Sequence, residues 1–152
     1  MRRASLFAAA VLALMLFPSH ARACTIGTTA VAFGAYNPQG APVTDGTGTI
    51  TLACPTAVTA PVVALGAGVN GTIATRKLAS GANRINYNLY TTTTRNVIWG
   101  DGTSGSVTLT LSGGVLSGGA RNFSHTVFGR IPALQNVKAG AYTDTVIVTV
   151  TF

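Results

Sequence analysis

Apolar and polar residues alternate in short segments from residue 25 onward, and no long stretch carries apolar residues at helical spacing. Runs rich in valine, isoleucine, threonine and tyrosine are separated by clusters of glycine, asparagine, aspartate and proline, which are typical of turns. The pattern predicts an all-β domain with strands at residues 25–33, 48–54, 61–65, 85–91, 107–111, 123–131 and 142–152. About seven short strands in one small domain are typical of an immunoglobulin-like β-sandwich.

The last predicted strand alternates most regularly. One face carries Val146, Val148, Val150 and Phe152, and the opposite face is mostly threonine. The apolar face is expected to pack on the core. Two arrangements stay open: the strand is paired on both sides, or the strand that should follow it is missing and leaves an apolar groove. A free edge beside such a groove attracts a strand from another chain.

Residues 1–23 have the pattern of a secretory signal peptide, because an apolar run at 6–17 follows Arg2 and Arg3 and small residues lead to the cleavage site. The apolar run is shorter than the ~20 residues that cross a bilayer, and no later segment is longer. No membrane anchor is therefore expected in the mature chain. The mature domain is predicted to span residues 24–152 and to be exported.

Two cysteines remain in the mature chain, Cys24 and Cys54. Cys24 would be the first mature residue, which is the position that carries the lipid in lipoproteins. Lipidation sites have a small residue where this chain has the charged Arg22, which argues against lipid attachment. Export leads to an oxidising compartment, which favours a disulfide between the two cysteines instead. That bond would close a loop of about 30 residues and stabilise the fold by roughly 3–4 kcal/mol.

Ionisable groups are few in the mature chain. Without Arg2, Arg3 and Arg22, seven of the ten basic residues remain against three aspartates, which gives a net charge of +4. The basic residues are scattered rather than clustered, so no nucleic-acid site is expected.

The inventory of reactive side chains does not favour an enzyme. His125 is the one histidine of the mature chain, glutamate is absent, and the neighbouring Ser124 would point to the opposite face of the same strand. A solvated or hydrogen-bonded strand histidine is therefore expected. No catalytic, metal or cofactor site is expected, since no cluster of ligands or titrating groups is present.

Three further features each have a structural explanation. Residues 100–105 match the G-x-G-x-x-G pattern of dinucleotide sites, but a strand pattern rather than a helix follows, which favours a glycine-rich loop. Asp144 is expected to form an ion pair with Arg130 or Arg84. Core packing is expected for the aromatic residues, with a stacking surface for carbohydrate or an apolar contact with abiotic surfaces as the alternative; they are Trp99, Tyr87, Tyr90 and Tyr36.

Short motifs also follow one another in a specific order. They are Cys24, Val31-Ala32-Phe33-Gly34, Tyr36, Gly48-Thr49-Ile50-Thr51-Leu52-Ala53-Cys54, Leu65, Arg76-Lys77-Leu78, Ile85-Asn86-Tyr87-Asn88-Leu89-Tyr90, Trp99-Gly100-Asp101-Gly102, Phe128-Gly129-Arg130-Ile131-Pro132 and Ala139-Gly140-Ala141-Tyr142-Thr143-Asp144-Thr145-Val146. Together they span the mature chain and resemble the spore coat protein U domain family, which includes subunits of archaic, Csu-type chaperone–usher pili.

The resemblance implies an incomplete immunoglobulin-like β-sandwich that lacks its final strand and is completed by a donor strand. The donor comes from a periplasmic chaperone and later from a neighbouring pilus subunit by donor-strand exchange, after transfer to an outer-membrane usher. Chaperones of this class hold the C-terminal strand of the subunit, which here carries Val146, Val148, Val150 and Phe152. Cys24 and Cys54 stand at family-typical positions for a disulfide.

The resemblance also implies a role. The expected function is that of a secreted structural subunit of a surface pilus, reaching the cell surface through the periplasm and involved in adhesion and biofilm formation. Family subunits carry an apolar donor segment ahead of the first cysteine, and cleavage before Cys24 would leave none, which favours a tip or minor subunit. A receptor-binding tip adhesin module and a spore-coat component stay open as alternatives.

Overall fold

The computed structural model describes residues 23–40 and 42–152, so residues 1–22 of the expected signal peptide lie outside the described residues. The described part is all-β. Its strands are β1 (Thr25–Ala32), β2 (Thr44–Cys54), β3 (Val62–Leu65), β4 (Arg76–Ser80), β5 (Asn83–Tyr90), β6 (Leu109–Thr110), β7 (Val115–Ser117), β8 (Ala120–Ile131) and β9 (Val148–Thr151). Across these residues, no helix has the length and apolar character needed to cross a membrane.

The strands form two sheets, and every strand pair is antiparallel. The larger sheet has the order β1-β2-β8-β5-β4, with β7 also paired to β8, and the smaller sheet has the order β6-β3-β9. Their apolar faces meet in one core. The predicted β-sandwich is therefore confirmed.

The centre of the larger sheet is the long β2–β8 ladder, which runs from the pair Thr44–Ile131 to the pair Cys54–Arg121. Alternate residues of the ladder point inward, so that Ile50 and Leu52 of β2 are buried. Across the core, Val63 and Leu65 of β3 are buried as well. The alternation read from the sequence thus sets the core face of both sheets.

Two strands do not correspond to any predicted strand, one because of its composition and the other because of its short length. Strand β4 reads Arg-Lys-Leu-Ala-Ser and is held in place by its pairing with β5. Strand β7 is three residues long and turns directly into β8 through Gly118 and Gly119, whose φ angles are +59° and +75°. Glycine adopts these left-handed conformations without strain, and they suit a two-residue hairpin turn.

The predicted strand at 142–152 is divided between the two sheets. Thr143 pairs with Ala79 of β4 in the larger sheet, whereas β9 pairs with β3 in the smaller one. The chain therefore crosses from one sheet to the other over residues 144–147. Only the part after the crossing, Val148–Thr151, forms a regular strand.

Candidate functional site: an apolar groove between two sheet edges

A groove of about 840 Å³ runs between β1, at the edge of the larger sheet, and β9, at the edge of the smaller one. Within the described residues, β1 pairs only with β2, and β9 pairs only with β3. We call this space the edge groove. Its floor consists of buried core side chains, namely Ile50, Leu65, Ile85, Leu89, Val127 and Ile131.

Along β9, alternate residues contribute both their side chains and their free backbone groups to the edge groove. The N–H of Gly66 donates to the carbonyl oxygen of Ile147 at 2.9 Å, whereas the N–H of Leu65 points away from β9 and donates to Gly100. Backbone groups alternate in direction along an antiparallel strand. The N–H and C=O groups of Val146, Val148 and Val150 therefore point away from β3, toward the free edge.

The side chains of the same three valines are half-buried against the core, as the alternation predicted. Phe152 does not continue this row, since it is 58 % exposed. It lies beyond Thr151, which pairs with Val62 at the first residue of β3, so no partner strand faces it in the smaller sheet.

Strand β1 packs closely on the larger sheet because the residues that face it there include glycines, which have no side chain. The pairing of β1 with β2 shifts between Thr29 and Ala32, which marks a bulge in the edge strand. A Cβ atom on Gly48 would lie 2.6 Å from the carbonyl oxygen of Thr29, and one on Gly129 would lie 2.6 Å from Cγ1 of Val31. A larger residue at position 48 would therefore collide with the backbone of β1, and one at position 129 would displace the side chains of Val31 and Phe33.

Cys24 and Cys54 form a disulfide with an S–S distance of 2.04 Å, as expected. The bond joins the residue before β1 to the last residue of β2, and Cys54 is buried. It therefore fastens the beginning of the edge strand to the centre of the larger sheet.

A network of hydrogen bonds holds Tyr36, which lines the edge groove, against the end of β8. The hydroxyl of Tyr36 donates to the carbonyl oxygen of Pro132 and accepts from the N–H of Gln135, at 3.2 and 2.7 Å. The side-chain amide of Gln135 then bonds both backbone groups of Asn86, at 2.7 and 2.8 Å. Because β8 ends before Pro132, the amide of Gln135 continues the pairing along β5 that β8 no longer supplies.

Asp144 forms the polar corner of the groove, and the ion pair expected for it with Arg130 or Arg84 is wrong. Its carboxylate accepts hydrogen bonds from the N–H of Val69 at 2.9 Å, the side-chain amide of Asn70 at 3.4 Å and the hydroxyl of Tyr87 at 2.8 Å. Burial raises the pKa of Tyr87, so its hydroxyl remains a donor at neutral pH.

Arg130 instead forms a two-point ion pair with Asp45 across the β2–β8 ladder, at 2.7 and 2.9 Å. Arg95 approaches the same carboxylate at 3.2 Å. Sequence order did not indicate this pairing, because it depends on the register of two strands that are 85 residues apart in sequence.

Arg76 is completely buried, with 0 % of its surface exposed. Its guanidinium donates to the carbonyl oxygens of Leu65, Gly66 and Trp99 and to the side-chain oxygen of Asn88, at 2.6–3.3 Å. Burial lowers the pKa of Arg76, while the surrounding oxygens solvate its charge. Sequence analysis noted this arginine as part of a motif only, since nothing in its neighbours indicates burial.

The aromatic residues mostly serve the core, as expected. Trp99 is fully buried, and its indole N–H donates to the carbonyl oxygen of Val63 at 3.0 Å. Tyr87 is buried as well, whereas Tyr36 and Tyr90 are half-buried. None of the four is fully exposed.

His125 packs edge-to-face on the indole of Trp99 at 5.3 Å, and its Nε2 lies 3.1 Å from the carbonyl oxygen of Thr91. The predicted hydrogen-bonded strand histidine is therefore confirmed, and Ser124 is exposed on the other face. Over the described ranges, no group of three metal-ligating side chains is found.

The fold and the groove define a class of protein, an all-β immunoglobulin-like sandwich with two free strand edges beside an apolar groove. The chain matches the Spore Coat Protein U domain over residues 9–149 and belongs to that family. It is 33 % identical to "Protein U" of Myxococcus xanthus over 147 residues, which cover 86 % of this chain and 78 % of that protein.

Among solved structures, the chain is similar to a chain of the CsuC–CsuE chaperone–tip adhesion subunit pre-assembly complex, from the archaic chaperone–usher Csu pili of Acinetobacter baumannii. The TM-score is 0.56 at 21 % sequence identity, over 86 % of this chain and 40 % of that chain. The present chain thus spans less than half of that relative, and the likeness establishes the fold. The family resemblance noted from the motifs is confirmed.

Proposed function

We propose that this protein is an exported structural subunit of a chaperone–usher surface pilus that takes part in adhesion and biofilm formation. In this proposal the sandwich lacks its final strand, and a strand donated by another chain occupies the edge groove. The observation that carries the proposal is the apolar groove of about 840 Å³ between the free edges of β1 and β9.

The physical argument is that a strand in the groove would satisfy two needs together. It would pair with backbone groups at the free edges, and its alternate side chains would cover the apolar floor. Removing apolar surface from water contributes about 25 cal/mol for each Å². Main-chain pairing gives such a complex affinity, and the pockets for alternate side chains give it specificity.

Three partners follow from this proposal: a periplasmic chaperone that first lends a strand, an outer-membrane usher, and other pilus subunits that replace the lent strand. Val146, Val148, Val150 and Phe152 are the residues proposed to meet the chaperone. The three valines are the better supported members, because their side chains are half-buried and their backbone groups face the free edge. The mature domain at residues 24–152 would pass through the periplasm to the cell surface. Family membership and the fold of a pilus-assembly complex support this route.

The test compares two single substitutions in β9. Val148→Asp places a carboxylate on the inner face beside Leu65, where an unpaired charge is strongly unfavourable, whereas Thr149→Asp places the same charge on the exposed face. Co-expression with a chaperone of the same assembly system should yield a one-to-one complex with the wild type and with Thr149→Asp, but not with Val148→Asp. Wild-type protein that is stable alone and forms no complex with the chaperone would contradict the proposal.

Two narrower roles have specific support. The similarity to a complex that contains a tip adhesion subunit favours a position at the fibre tip, and immunogold labelling of assembled fibres would then mark their ends only. The 33 % identity to "Protein U" and the family's own description favour a spore-coat component instead. Labelling of a spore surface with no labelled fibres would support that second role.

A further inference from the structure

Strand β9 has a sequence that does not define its own register. Its residues alternate as Val146-Ile147-Val148-Thr149-Val150-Thr151, so a shift of two residues against β3 would again place valines inside. A shift of one residue would exchange the two faces and is excluded by burial, but a shift of two retains both the alternation and the ladder hydrogen bonds. Four residue pairs join β9 to β3, which is a short ladder. Another contact must therefore select the register.

The chain just before β9 has two such contacts, but only one of them depends on the side chain. Thr143 exchanges two backbone hydrogen bonds with Ala79, at 2.8 and 3.0 Å, and any residue other than proline could form them. Asp144 is different. Its carboxylate receives donors from the loop after β3, through Val69 and Asn70, and from β5, through Tyr87.

The position that receives Asp144 is shaped for it. Gly68 has a φ angle of +82°, and a Cβ atom on it would collide with Oδ2 of Asp144. The Tyr87 hydroxyl lies in a buried side chain and donates at 2.8 Å. A two-residue shift would move Asp144 by roughly 6.7 Å and would withdraw all three hydrogen bonds together.

We propose that Asp144 is a positioning residue that fixes the register of β9 and so determines which backbone groups and which valines face an incoming strand. This inference rests on the proposed function, because register affects assembly only if a strand enters the edge groove. If β9 moved by two residues in one direction along β3, Asp144 would occupy the present place of Val146 on the groove wall. If β9 moved by two residues in the other direction, Val146 would face the hydrogen-bond donors that now bind the carboxylate of Asp144.

The test uses the purified protein, isotope-labelled, with Asp144→Ala, Asp144→Asn and the control Asp45→Asn. Asp45 also accepts two strong side-chain hydrogen bonds, but it lies on the exposed outer face of β2 in the larger sheet, and its partner is Arg130 of β8. Leu65 and Val148 are opposite each other and form no mutual backbone hydrogen bonds, and in such pairs the Cα atoms lie about 4.5 Å apart. A nuclear Overhauser cross-peak between the Hα atoms of Leu65 and Val148 therefore reports the native register. The probe for strand capture is a synthetic peptide of alternating valine and threonine flanked by lysines.

Asp144→Ala should weaken the Leu65–Val148 cross-peak, give a new one from Leu65 to Val146 or Val150, and slow peptide uptake by roughly tenfold. Asp144→Asn, which keeps an acceptor for Val69, should retain the native cross-peak. The control should retain both the cross-peak and the uptake rate.

A native cross-peak in Asp144→Ala would overturn the proposal, whatever happens to stability. A shifted cross-peak with unchanged peptide uptake would overturn the link between register and capture. If the wild type takes up no peptide, the proposed function fails, but the cross-peaks still decide whether Asp144 sets the register.

Discussion

The two sides of this sandwich differ in whether their strand-end and strand-edge backbone groups have hydrogen-bond partners. On the side of β4 and Trp99, the guanidinium of Arg76 reaches the strand-end carbonyl groups of Leu65 and Gly66 and satisfies them. No buried side-chain nitrogen or oxygen in the described part of the chain lacks a hydrogen-bond partner. On the other side, β1 and β9 direct backbone groups toward an open apolar groove.

The difference indicates that stability and the proposed capture of a strand have different structural origins. The closed side joins the two sheets through the buried guanidinium of Arg76, which extends from β4 to the end of β3, and through the core around Trp99. The open side leaves apolar surface of the groove uncovered, and a strand bound there as proposed would remove that surface from water. Substitutions of buried residues on the closed side should therefore lower the stability most, whereas substitutions along β1 and β9 should also alter what the groove binds in the proposed assembly.

The largest effect is expected for Arg76→Met. Methionine approximates the length of the side chain but leaves the carbonyl oxygens of Leu65, Gly66 and Trp99 without the Arg76 donor in the core, whereas Oδ1 of Asn88 still accepts from the N–H of Leu89. We expect a loss of about 3–5 kcal/mol in the free energy of unfolding, as for other buried charged groups that lose one partner. Urea unfolding followed by Trp99 fluorescence would measure it.

Arg84→Met is the matched control, since Arg84 is exposed and bonds only the nearby carbonyl groups of Gly81 and Asn83. Its effect should remain within about 0.5 kcal/mol. Similar losses for the two variants would show that Arg76 does not join the sheets in the way described.

Sequence reasoning identified the sandwich, the disulfide and the inner face of the last strand, because each depends on local alternation or on the number of cysteines. It did not identify β4, since Arg-Lys-Leu-Ala-Ser carries no strand signal of its own and pairs only because β5 is present. It also paired Asp144 with the wrong residues. The true partners come from two distant segments, and their meeting depends on sheet register, which a pattern along one strand does not contain.

A smaller effect is expected for Gly48→Ala on the open side. The new methyl group would lie 2.6 Å from the carbonyl oxygen of Thr29 and 2.9 Å from the nitrogen of Val31, so β1 must move outward at its bulge. We expect a loss of about 1–3 kcal/mol, as for other overpacked sites, with faster hydrogen exchange in β1.

Gly66→Ala serves as the control for this substitution. A Cβ atom there would meet Ile147 at 3.6–3.7 Å, which is ordinary contact, so stability and exchange should change little. Equal exchange rates in β1 for both alanine variants would argue against a glycine requirement beneath the edge strand.

The smallest effect is expected for Asp45→Asn, because Asp45 lies on the exposed outer face of β2. The hydrogen bond from Arg130 holds the pKa of Asp45 below its usual value, and the nearby charge of Arg95 acts in the same direction. A carboxyl group with a lowered folded pKa contributes stability above its unfolded pKa of about 3.9, and that contribution is lost as the pH falls through the folded value. The side chain is 36 % exposed, so solvent screening should keep the contribution below about 1 kcal/mol. Unfolding of the wild type and Asp45→Asn should therefore differ slightly at pH 7 and in low salt, and the difference should vanish near pH 2. A difference that persists at pH 2, or that grows with added salt, would show that Asp45 acts through packing rather than through its charge.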